Sequence, residues 1–542
     1  MSARLKKTSR RIPNLSHLQR QAYRSFQDND AGKTETLCAE ILQYRPDDFD
    51  ALHLLGLLNF ELGRMAEALH YLSAALRANA KSAEAMSNLA RALDATARYD
   101  EAIASYHQAL QIAPDHPEIR YNLGNTFLKA GRLQDALNSF DGVLAVEAGH
   151  VGALVNRGNT LLKLNRPLEA IANYDSALAV MPTHPQILTN RGHAWRRLDK
   201  PSPALVDFNR AIAAAPDFAE AHFEQAMALL TLGDFEAGWK AYEWRWATRA
   251  FAAQRRPFHQ PLWQGQAIAG KTILLHAEQG FGDTIQFIRY VPMVKSRGAK
   301  VVVEVQPEME TLLSQIDGVE IIPWGRPLPE FDWQCPLLSL PLAFSTRPET
   351  IPASMPYLVA PADRVATWRA RLPPARWRAG FVWSGRPTHH NDRNRSIALA
   401  GFRALFAIRD LQCVSLQNDV RDQDEEVMRD IAGLVDHGSA LRDFADTAAL
   451  ISLMDVVVSV DTSVAHLAGA LGKPVLILLP YAADFRWMRE AERTPWYPTA
   501  RLFRQPAFGD WESVIVRVGD ELERCVSRQA FGEDCCETAR GF

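Results

Sequence analysis

The chain has 542 residues, of which 47% are hydrophobic and 23% are charged, and its formal net charge is −3 at pH 7. This length predicts several domains, and the composition excludes a disordered or collagen-like chain. The near-neutral charge argues against a general nucleic-acid-binding surface, and no apolar run approaches the ~20 residues of a membrane-spanning helix. The six cysteines form no CxxC pair, which predicts neither a disulfide framework nor a zinc site and suits a reducing cytoplasm.

The two ends of the chain are expected to be tails. Residues 1–14 contain basic side chains and no acid, and no apolar segment of a secretory signal follows them. We therefore expect a solvated basic tail at 1–14, and a second tail at 531–542. The basic residues are Arg4, Lys6, Lys7, Arg10 and Arg11.

One pattern repeats every 34 residues over the first half of the chain. Small side chains permit a close approach of two helices, bulky side chains fill the remaining space, and proline ends a helix, so the pattern predicts stacked helix pairs. The small residues are Gly56, Ala90, Gly124, Gly158, Gly192 and Ala226. The bulky residues, 16 positions later, are Leu72, Tyr106, Phe140, Tyr174, Phe208 and Tyr242, and the prolines are Pro46, Pro114, Pro182 and Pro216.

This spacing resembles the tetratricopeptide repeat, and its register holds from about Leu15 to Tyr242. The resemblance implies six repeats and a partial seventh over residues 15–248, stacked as a right-handed superhelix with a concave groove. One such repeat cannot bury its own apolar face, so the core forms by stacking.

A second series, also spaced by 34, places asparagines at one position of successive repeats, and two more asparagines share their helical face. Their amides could bind the backbone of an extended peptide, or could tie neighbouring repeats together. The arrangement is similar to the asparagine ladder of nucleocytoplasmic O-linked N-acetylglucosamine transferases, which implies a groove for an acceptor peptide. The residues are Asn88, Asn122, Asn125, Asn156, Asn159 and Asn190.

After the repeats the chain changes character. Gly, Pro and Gln gather in residues 249–269, which we interpret as a junction, and from Thr272 short apolar runs such as "KVVVEV" and "DVVVSV" alternate with helical patterns. This alternation predicts parallel sheets with helices on both faces. A proline-rich stretch near residue 375 divides the region into 270–375 and 376–530, so the predicted fold class is an all-α repeat superhelix followed by two α/β domains.

Polar residues gather where the strand "DVVVSV" ends and the helix "SVAHLAGALG" begins. Asp461, Thr462 and Ser463 lie at this turn, and His466 follows Ser463 after one helical turn. Unpaired N–H groups and the helix dipole favour an anion such as a diphosphate there, whereas Asp461 would hold a sugar or ribose hydroxyl. Ordinary capping of the helix is the alternative interpretation.

Four motifs of the second half resemble those of the heptosyltransferase-like glycosyltransferases. They are "EQGFGDTIQFIRYVP", "VWSGRPTHHNDRNRSIAL", "FADTAALISLMD" and "VVVSVDTSVAHLAGALGKPV". The resemblance covers about residues 270–526 and implies a B-type fold, in which a Rossmann-like domain at 270–375 takes the acceptor. A second Rossmann-like domain at 376–530 would hold the nucleotide-sugar through the polar turn.

The resemblance also implies roles for residues of the first two motifs. Asp283 would be the general base that deprotonates the acceptor hydroxyl, while Gly280 and Gly282 let the backbone approach the substrate. Capping of the helix that starts there is the alternative for Asp283. Arg395 would neutralise the donor phosphates, although the family often has lysine and two further arginines, Arg386 and Arg393, lie nearby.

These features together predict a cytoplasmic, metal-independent glycosyltransferase without a cofactor, which takes a nucleotide-sugar donor and a protein or peptide acceptor. Two other functions stay open. A nicotinamide oxidoreductase would use Gly280, Gly282 and Glu304, but Ile285 replaces the third glycine of that motif. A scaffold would recruit partners through the repeats and carry an inactive transferase domain.

Overall fold

The computed structural model describes residues 14–278, 280–389, 391–431 and 433–530. The predicted C-terminal tail and, apart from Asn14, the predicted basic tail lie outside these ranges. The chain divides into two compact units, Met1–Ala194, called here the repeat unit, and Trp195–Phe542, called the α/β unit. None of the helices in the described ranges has the length and apolar character that crossing a membrane requires.

Fourteen α-helices precede the first strand in the described part of the chain, and they follow one another as seven pairs. Thirteen of them have 13 or 14 residues, and the last has eight. They are α1 (Leu15–Gln27), α2 (Ala31–Tyr44), α3 (Phe49–Glu61), α4 (Met65–Ala78), α5 (Ala83–Ala95), α6 (Tyr99–Ile112), α7 (Pro117–Lys129), α8 (Leu133–Val146), α9 (Val151–Lys163), α10 (Pro167–Val180), α11 (Pro185–Arg197), α12 (Pro201–Ala214), α13 (Ala219–Thr231) and α14 (Phe235–Tyr242).

The contacts that the 34-residue period predicts between small and bulky residues are present. A β-carbon added at Gly124 would lie 2.7 Å from the Phe140 ring, and one added at Gly158 would lie 2.6 Å from the Tyr174 ring. Both rings are fully buried, so glycine permits the helices of a pair to pack this closely. The predicted prolines follow helix ends by two residues, with α2, α6, α10 and α12 ending before Pro46, Pro114, Pro182 and Pro216.

The first sheet of the α/β unit has four parallel strands in the order β3-β2-β1-β4. Its strands are mostly buried, because helices and loops cover both sides of a parallel sheet. The strands are β1 (Thr272–His276), β2 (Lys300–Val305), β3 (Glu320–Pro323) and β4 (Trp333–Pro336). The accompanying helices are α15 (Phe281–Phe287), α16 (Val291–Lys295), α17 (Glu310–Leu313), α18 (Leu340–Ala343) and α19 (Ala362–Arg371).

The second sheet has six parallel strands in the order β10-β9-β8-β5-β6-β7. The valine-rich strand β8 is buried along its whole length. The strands are β5 (Arg378–Val382), β6 (Gln412–Ser415), β7 (Leu434–Asp436), β8 (Val456–Val460), β9 (Val475–Leu479) and β10 (Ala500–Arg504). The helices are α20 (Asp392–Arg395), α21 (Arg403–Phe406), α22 (Asp422–Asp430), α23 (Phe444–Ser452), α24 (Ser463–Ala470) and α25 (Glu512–Ala530).

The aromatic side chains of α14 belong to the core of the α/β unit. The ring centroid of Trp239 lies 6.1 Å from that of Phe287 and 5.6 Å from that of Phe485, which belong to different halves of the unit. One buried cluster therefore includes α14 and side chains from both sheets. The predicted fold class, helical repeats followed by a parallel-sheet α/β region, is confirmed, whereas the boundaries at 248–249 and 375–376 stay predictions.

Candidate functional site

The second sheet has a topological switch point between β5 and β8, from which the strand order runs in opposite directions. In open parallel sheets, ligands bind in the crevice outside the carboxyl ends of the strands at such a point. Because β8 ends at Val460, the turn with Asp461 and the start of α24 lie at this crevice. The segment after β5, which carries Arg395, borders the same crevice.

The start of α24 has unpaired backbone donors. Thr462 is the N-cap residue, but its side chain makes no capping hydrogen bond, and its Oγ1 lies 3.1 Å from Oγ of Ser459 instead. Among the described residues, the N–H groups of Ser463 and Val464 have no hydrogen-bond acceptor. The turn therefore presents two N–H groups at the positive end of a helix dipole, an arrangement that suits an anion.

Arg395 reaches this turn from the β5 side. Its Nη1 donates to the carbonyl oxygen of Asp461 over 2.7 Å, and its side chain is 14% exposed. A β-carbon added at Gly385 would lie 2.5 Å from Nη2, so glycine leaves the room that the guanidinium occupies. The structure thus brings Arg395 and the Asp461 turn together, while the role of Arg395 toward phosphate stays a prediction.

His466 lies on α24 where this helix contacts α15 of the first half. Its Nδ1 is 2.9 Å from the Tyr497 hydroxyl, and its ring stacks on Trp487 with 5.0 Å between centroids. Burial lowers the pKa of His466 well below its usual range, so the imidazole is neutral at pH 7. A β-carbon at Gly282 would lie 2.9 Å from Cδ2 of this ring, so Gly282 permits the approach of the two helices.

Asp283 lies in the first turn of α15, whose N-cap is the exposed Gly280. Its Oδ1 accepts a hydrogen bond from Nη2 of Arg486 over 2.5 Å, and its side chain is 18% exposed. Burial raises the pKa of Asp283, and the Arg486 guanidinium opposes that rise. A carboxylate with a raised pKa is suited to accept a proton. The predicted approach of Gly280 to a substrate stays a prediction.

Arg486 is a site residue that the sequence analysis missed. Besides Asp283, it donates from Nε to Gln286 over 2.6 Å and from Nη1 to Asp484 over 2.8 Å, and its side chain is 11% exposed. It therefore connects the second half of the α/β unit to the candidate base in the first half. Burial also raises the pKa of Asp461, an effect that Asp484 reinforces and Arg395 opposes.

The loop of residues 481–490, which carries Arg486, follows β9 directly. Met488 and Glu490 have φ angles of 54° and 55°, a region that non-glycine residues rarely adopt and that often accompanies functional loops. The stretch "YAADFRWMRE" combines charged and aromatic residues just after a buried strand. That position, where ligands of parallel sheets bind, is the signal that could have identified the loop.

A cavity of about 340 Å³ lies at the carboxyl end of the first sheet. Glu304, which a nicotinamide oxidoreductase would use to hold a ribose, is buried there and forms an ion pair with Arg256. Burial lowers the pKa of His276 to about 4, so this lining residue is neutral at pH 7. The cavity is lined by Trp246, Gln254, Arg256, His276, Ala277, Glu278, Glu304, Trp324 and Gly325.

A buried ion pair fixes the end of the last repeat to the first sheet. Arg245 is fully buried, and its guanidinium donates to both carboxylate oxygens of Glu278 over 2.9 and 3.1 Å. It also donates to Glu243 over 2.7 Å and to the Ser339 hydroxyl over 2.8 Å. The backbone N–H of Leu338 donates to Glu278, so the polar groups of this cluster satisfy one another.

In the repeat unit, hydrogen bonds join asparagines of neighbouring repeats. Nδ2 of Asn156 donates to Oδ1 of Asn125 over 2.7 Å, and Nδ2 of Asn190 donates to Oδ1 of Asn159 over 3.1 Å. These bonds agree with the interpretation in which the asparagines join neighbouring repeats to each other. They leave the Nδ2 groups of Asn125 and Asn159 without an acceptor among the described residues.

The other two asparagines differ from these pairs. Asn88 is buried, with Nδ2 2.9 Å from Nε2 of His53 and Oδ1 accepting from Arg91. The side chain of Asn122 is half-buried and has no hydrogen-bond partner among the described residues. The spare hydrogen-bonding capacity of the ladder is therefore concentrated after α5.

A cavity of about 420 Å³ adjoins this part of the ladder. It lies among three helices that hold the same place in successive repeats, α7, α9 and α11. This volume is enough for side chains of a bound segment. The cavity, which we call the groove cavity, is lined by Leu128, Lys129, Asn159, Leu162, Lys163, Asn190 and His193.

Within the described ranges, no group of three or more His, Cys, Asp or Glu side chains is arranged to hold a metal ion. Metal independence stays a prediction.

Two kinds of family profile match parts of the chain. Residues 35–83, 54–117, 95–157 and 189–251 match tetratricopeptide repeat profiles, and residues 412–504 match glycosyltransferase family 9 (heptosyltransferase). The second match includes β8, the Asp461 turn and the 481–490 loop. The chain therefore combines tetratricopeptide repeats with a glycosyltransferase family 9 segment, as the resemblances of its motifs predict.

The chain is also similar to a curated protein. It is 25% identical over 333 residues to Protein FlbA of Caulobacter vibrioides. The match covers 56% of this chain and 55% of that protein, so the chain spans about half the length of this relative.

Solved structures of tetratricopeptide repeat proteins also resemble part of the chain. A tetratricopeptide repeat protein from Parabacteroides merdae is 18% identical with a TM-score of 0.37, covering 42% of this chain and 91% of that one. YrrB, described as a repeat protein with an unusual peptide-binding site, is 19% identical with a TM-score of 0.31, covering 34% and 95% respectively.

Proposed function

We propose that the chain is a metal-independent glycosyltransferase that moves a sugar from a nucleotide-sugar to a hydroxyl of a protein or peptide held by the repeats. One observation carries this proposal. The positive charge of Arg486 acts on both Asp283, at the start of α15, and Asp461, at the switch point of the second sheet. The close contact of Gly282 with His466 joins the helices that follow these two positions. The proposed donor turn and the candidate base therefore lie on neighbouring elements.

The donor would bind at the turn after β8. The unpaired N–H groups of Ser463 and Val464 are suited to a diphosphate oxygen. The Thr462 hydroxyl donates to Ser459 instead, because the Ser459 hydroxyl donates its own proton to the Val460 carbonyl. Arg395 supplies positive charge beside them, and neutral His466 adds no charge of its own. Asp461, which would repel phosphate, is suited to accept a hydrogen bond from a sugar or ribose hydroxyl.

The chemistry would begin at Asp283. Its carboxylate takes the proton of the acceptor hydroxyl as the oxygen attacks the anomeric carbon of the sugar. The bond from that carbon to the diphosphate breaks, and the helix dipole and Arg395 stabilise the charge that develops on the leaving group. Arg486 holds Asp283 in place and keeps it ionised, because a nearby cation favours the charged form.

The repeats would supply the acceptor, since tetratricopeptide repeats stack into extended surfaces that suit polypeptide partners. Nucleic acid and a membrane span are not part of the proposal, and the cytoplasm is its proposed location. The alternative, a scaffold with an inactive transferase region, is favoured by one observation. Arg486 already donates to Oδ1 of Asp283, and the Tyr497 hydroxyl already lies 2.9 Å from Nδ1 of His466.

A thermal-shift screen of UDP, GDP, ADP and CMP separates the two functions. We expect one nucleotide to raise the unfolding temperature of the α/β unit, and Asp461→Ala to remove that shift while leaving the unfolding temperature without nucleotide unchanged. If all four nucleotides leave the full chain unchanged at millimolar concentration, the scaffold is the better account.

Asp283→Asn tests the base with the matching donor. We expect nucleotide binding to be retained and the rate of nucleotide release from the donor to fall about 10²–10⁴-fold, because an amide cannot accept the proton. In the unaltered protein, the rate should fall with decreasing pH with an apparent pKa above 3.8, the ordinary aspartate value, since burial raises the pKa of Asp283. Full activity of Asp283→Asn would eliminate this assignment.

A further inference from the structure

The groove cavity has a positive balance of charge. Its lining residues include two lysines and no carboxylate. Lys129 forms an ion pair with Asp94, whose other oxygen accepts from the Thr126 hydroxyl over 2.9 Å. Lys163, the equivalent residue one repeat later, is exposed and has no ion-pair partner among the described residues. One full positive charge therefore remains for a ligand.

The amide of Asn159 has a spare donor and no spare acceptor. Oδ1 of Asn159 already accepts from the Tyr174 hydroxyl over 2.7 Å and from Asn190 over 3.1 Å, so both of its lone pairs are used. Oδ1 of Asn190 accepts from Gln186 over 2.8 Å. Nδ2 of Asn159 has no acceptor in the described part of the chain. A ligand that binds Asn159 must therefore supply an acceptor oxygen.

The remaining surface of the cavity is aliphatic. Leu128 and Leu162 are 34 residues apart and lie beside the two lysines along successive repeats. The lining residues include no Phe, Tyr or Trp, and the imidazole of His193 is their one aromatic ring. Single-stranded nucleic acid is bound by a succession of stacking rings, so this surface argues against it. Leucine side chains of this spacing suit the aliphatic side chain of an extended peptide.

We propose that the groove cavity selects an acidic peptide, in which a carboxylate contacts Lys163 and Asn159 and a neighbouring aliphatic side chain packs on Leu128 and Leu162. This inference rests on the proposed function, in which the repeats hold the acceptor, and it names the chemistry of the segment that they hold. The asparagine ladder alone would accept a peptide backbone of any composition, whereas the unpaired lysine adds a preference for charge.

Two matched fluorescein-labelled peptides of 12 residues test this inference with the full chain. One repeats Ser-Asp-Leu and the other repeats Ser-Lys-Leu, and their affinities are measured by fluorescence anisotropy at low and high salt. We expect the acidic peptide to bind at least tenfold more tightly, with an advantage that shrinks as salt rises. Lys163→Glu should lower the affinity for the acidic peptide on the order of tenfold, because a repulsion replaces an attraction.

Lys81→Glu is the matched control, since Lys81 is also exposed but lies in the turn before α5, away from the lining residues. It should leave the affinity unchanged. Equal affinity for the two peptides, an equal effect of both substitutions, or tighter binding of a labelled single-stranded oligothymidine would overturn the inference. Nucleotide binding on the same preparation separates it from the proposed function, because a protein that binds nucleotide without preferring the acidic peptide contradicts only the inference.

Discussion

The two units of the chain are held by polar contacts of different range along the sequence. In the repeat unit, the asparagine pairs Asn125–Asn156 and Asn159–Asn190 join residues 31 positions apart. In the α/β unit, Arg486 reaches Asp283 across 203 positions. Contacts of the first kind recur with the period of the repeat, whereas those of the second kind occur once and depend on the whole fold.

The distribution of tryptophan also differs between the two units. All 13 tryptophans lie at or after Trp195, so the repeat unit contains none. Tryptophan fluorescence therefore follows the unfolding of the α/β unit, while far-UV circular dichroism also follows the helices of the repeats. The two signals allow a change in stability to be assigned to one unit.

The largest loss of stability is expected at the buried ion pair of the α/β unit. Arg245→Met would leave the carboxylate of Glu278 buried without its charge partner, which costs about 3–5 kcal/mol. Urea unfolding followed by tryptophan fluorescence should show a strongly lowered midpoint. The matched change in the repeat unit, Arg166→Met, removes an ion pair to Glu169 in which both side chains are about half exposed, and it should leave the circular dichroism transition almost unchanged.

A second substitution distinguishes loss of the charge pair from loss of packing. Adding Glu278→Gln to Arg245→Met removes the unpaired charge and should restore part of the lost stability. A double variant no more stable than Arg245→Met alone would mean that the packing of the guanidinium, rather than its charge, stabilises this cluster.

An intermediate loss of stability is expected at a glycine that allows the two helices of a repeat to pack closely. Gly124→Ala would place a β-carbon 2.7 Å from the buried ring of Phe140, and such overpacking costs about 1–3 kcal/mol. Gly32→Ala is the control, since a β-carbon at this helical position meets nothing within 4 Å. That change should stabilise the repeat unit by about 0.5–1 kcal/mol, because alanine favours a helix over glycine.

Both glycine variants are read from the circular dichroism transition, with tryptophan fluorescence unchanged. The period of the sequence predicts the first cost, since it pairs each small residue with a bulky one 16 positions later. If Gly124→Ala were as stable as Gly32→Ala, the pairing would be an accident of spacing, and the predicted helix contact would lose its physical basis.

These examples show what could be read from the sequence and what could not. The repeats and the strand–turn–helix around Asp461 are local patterns. The spacing of residues in such patterns predicts the local structure directly. Arg245 and Arg486 gave no such evidence, because their partners lie 33 and 203 positions away and only the folded sheets bring them together. Glu304 shows the reverse case, in which a local motif pointed to a ribose but the fold supplied Arg256 as partner.

The smallest effect is expected in the asparagine ladder, where it separates ties between repeats from contacts with a peptide. Asn156→Ala removes two hydrogen bonds, to Asn125 and to the Tyr121 hydroxyl, and should cost about 1 kcal/mol in the circular dichroism transition. Asn122→Ala removes none and should leave stability unchanged. If the ladder holds a peptide, both variants should weaken binding of the acidic peptide severalfold. If Asn122→Ala left the affinity for the acidic peptide unchanged, the asparagine ladder would serve only to join neighbouring repeats, because the structure gives Asn122 no other role.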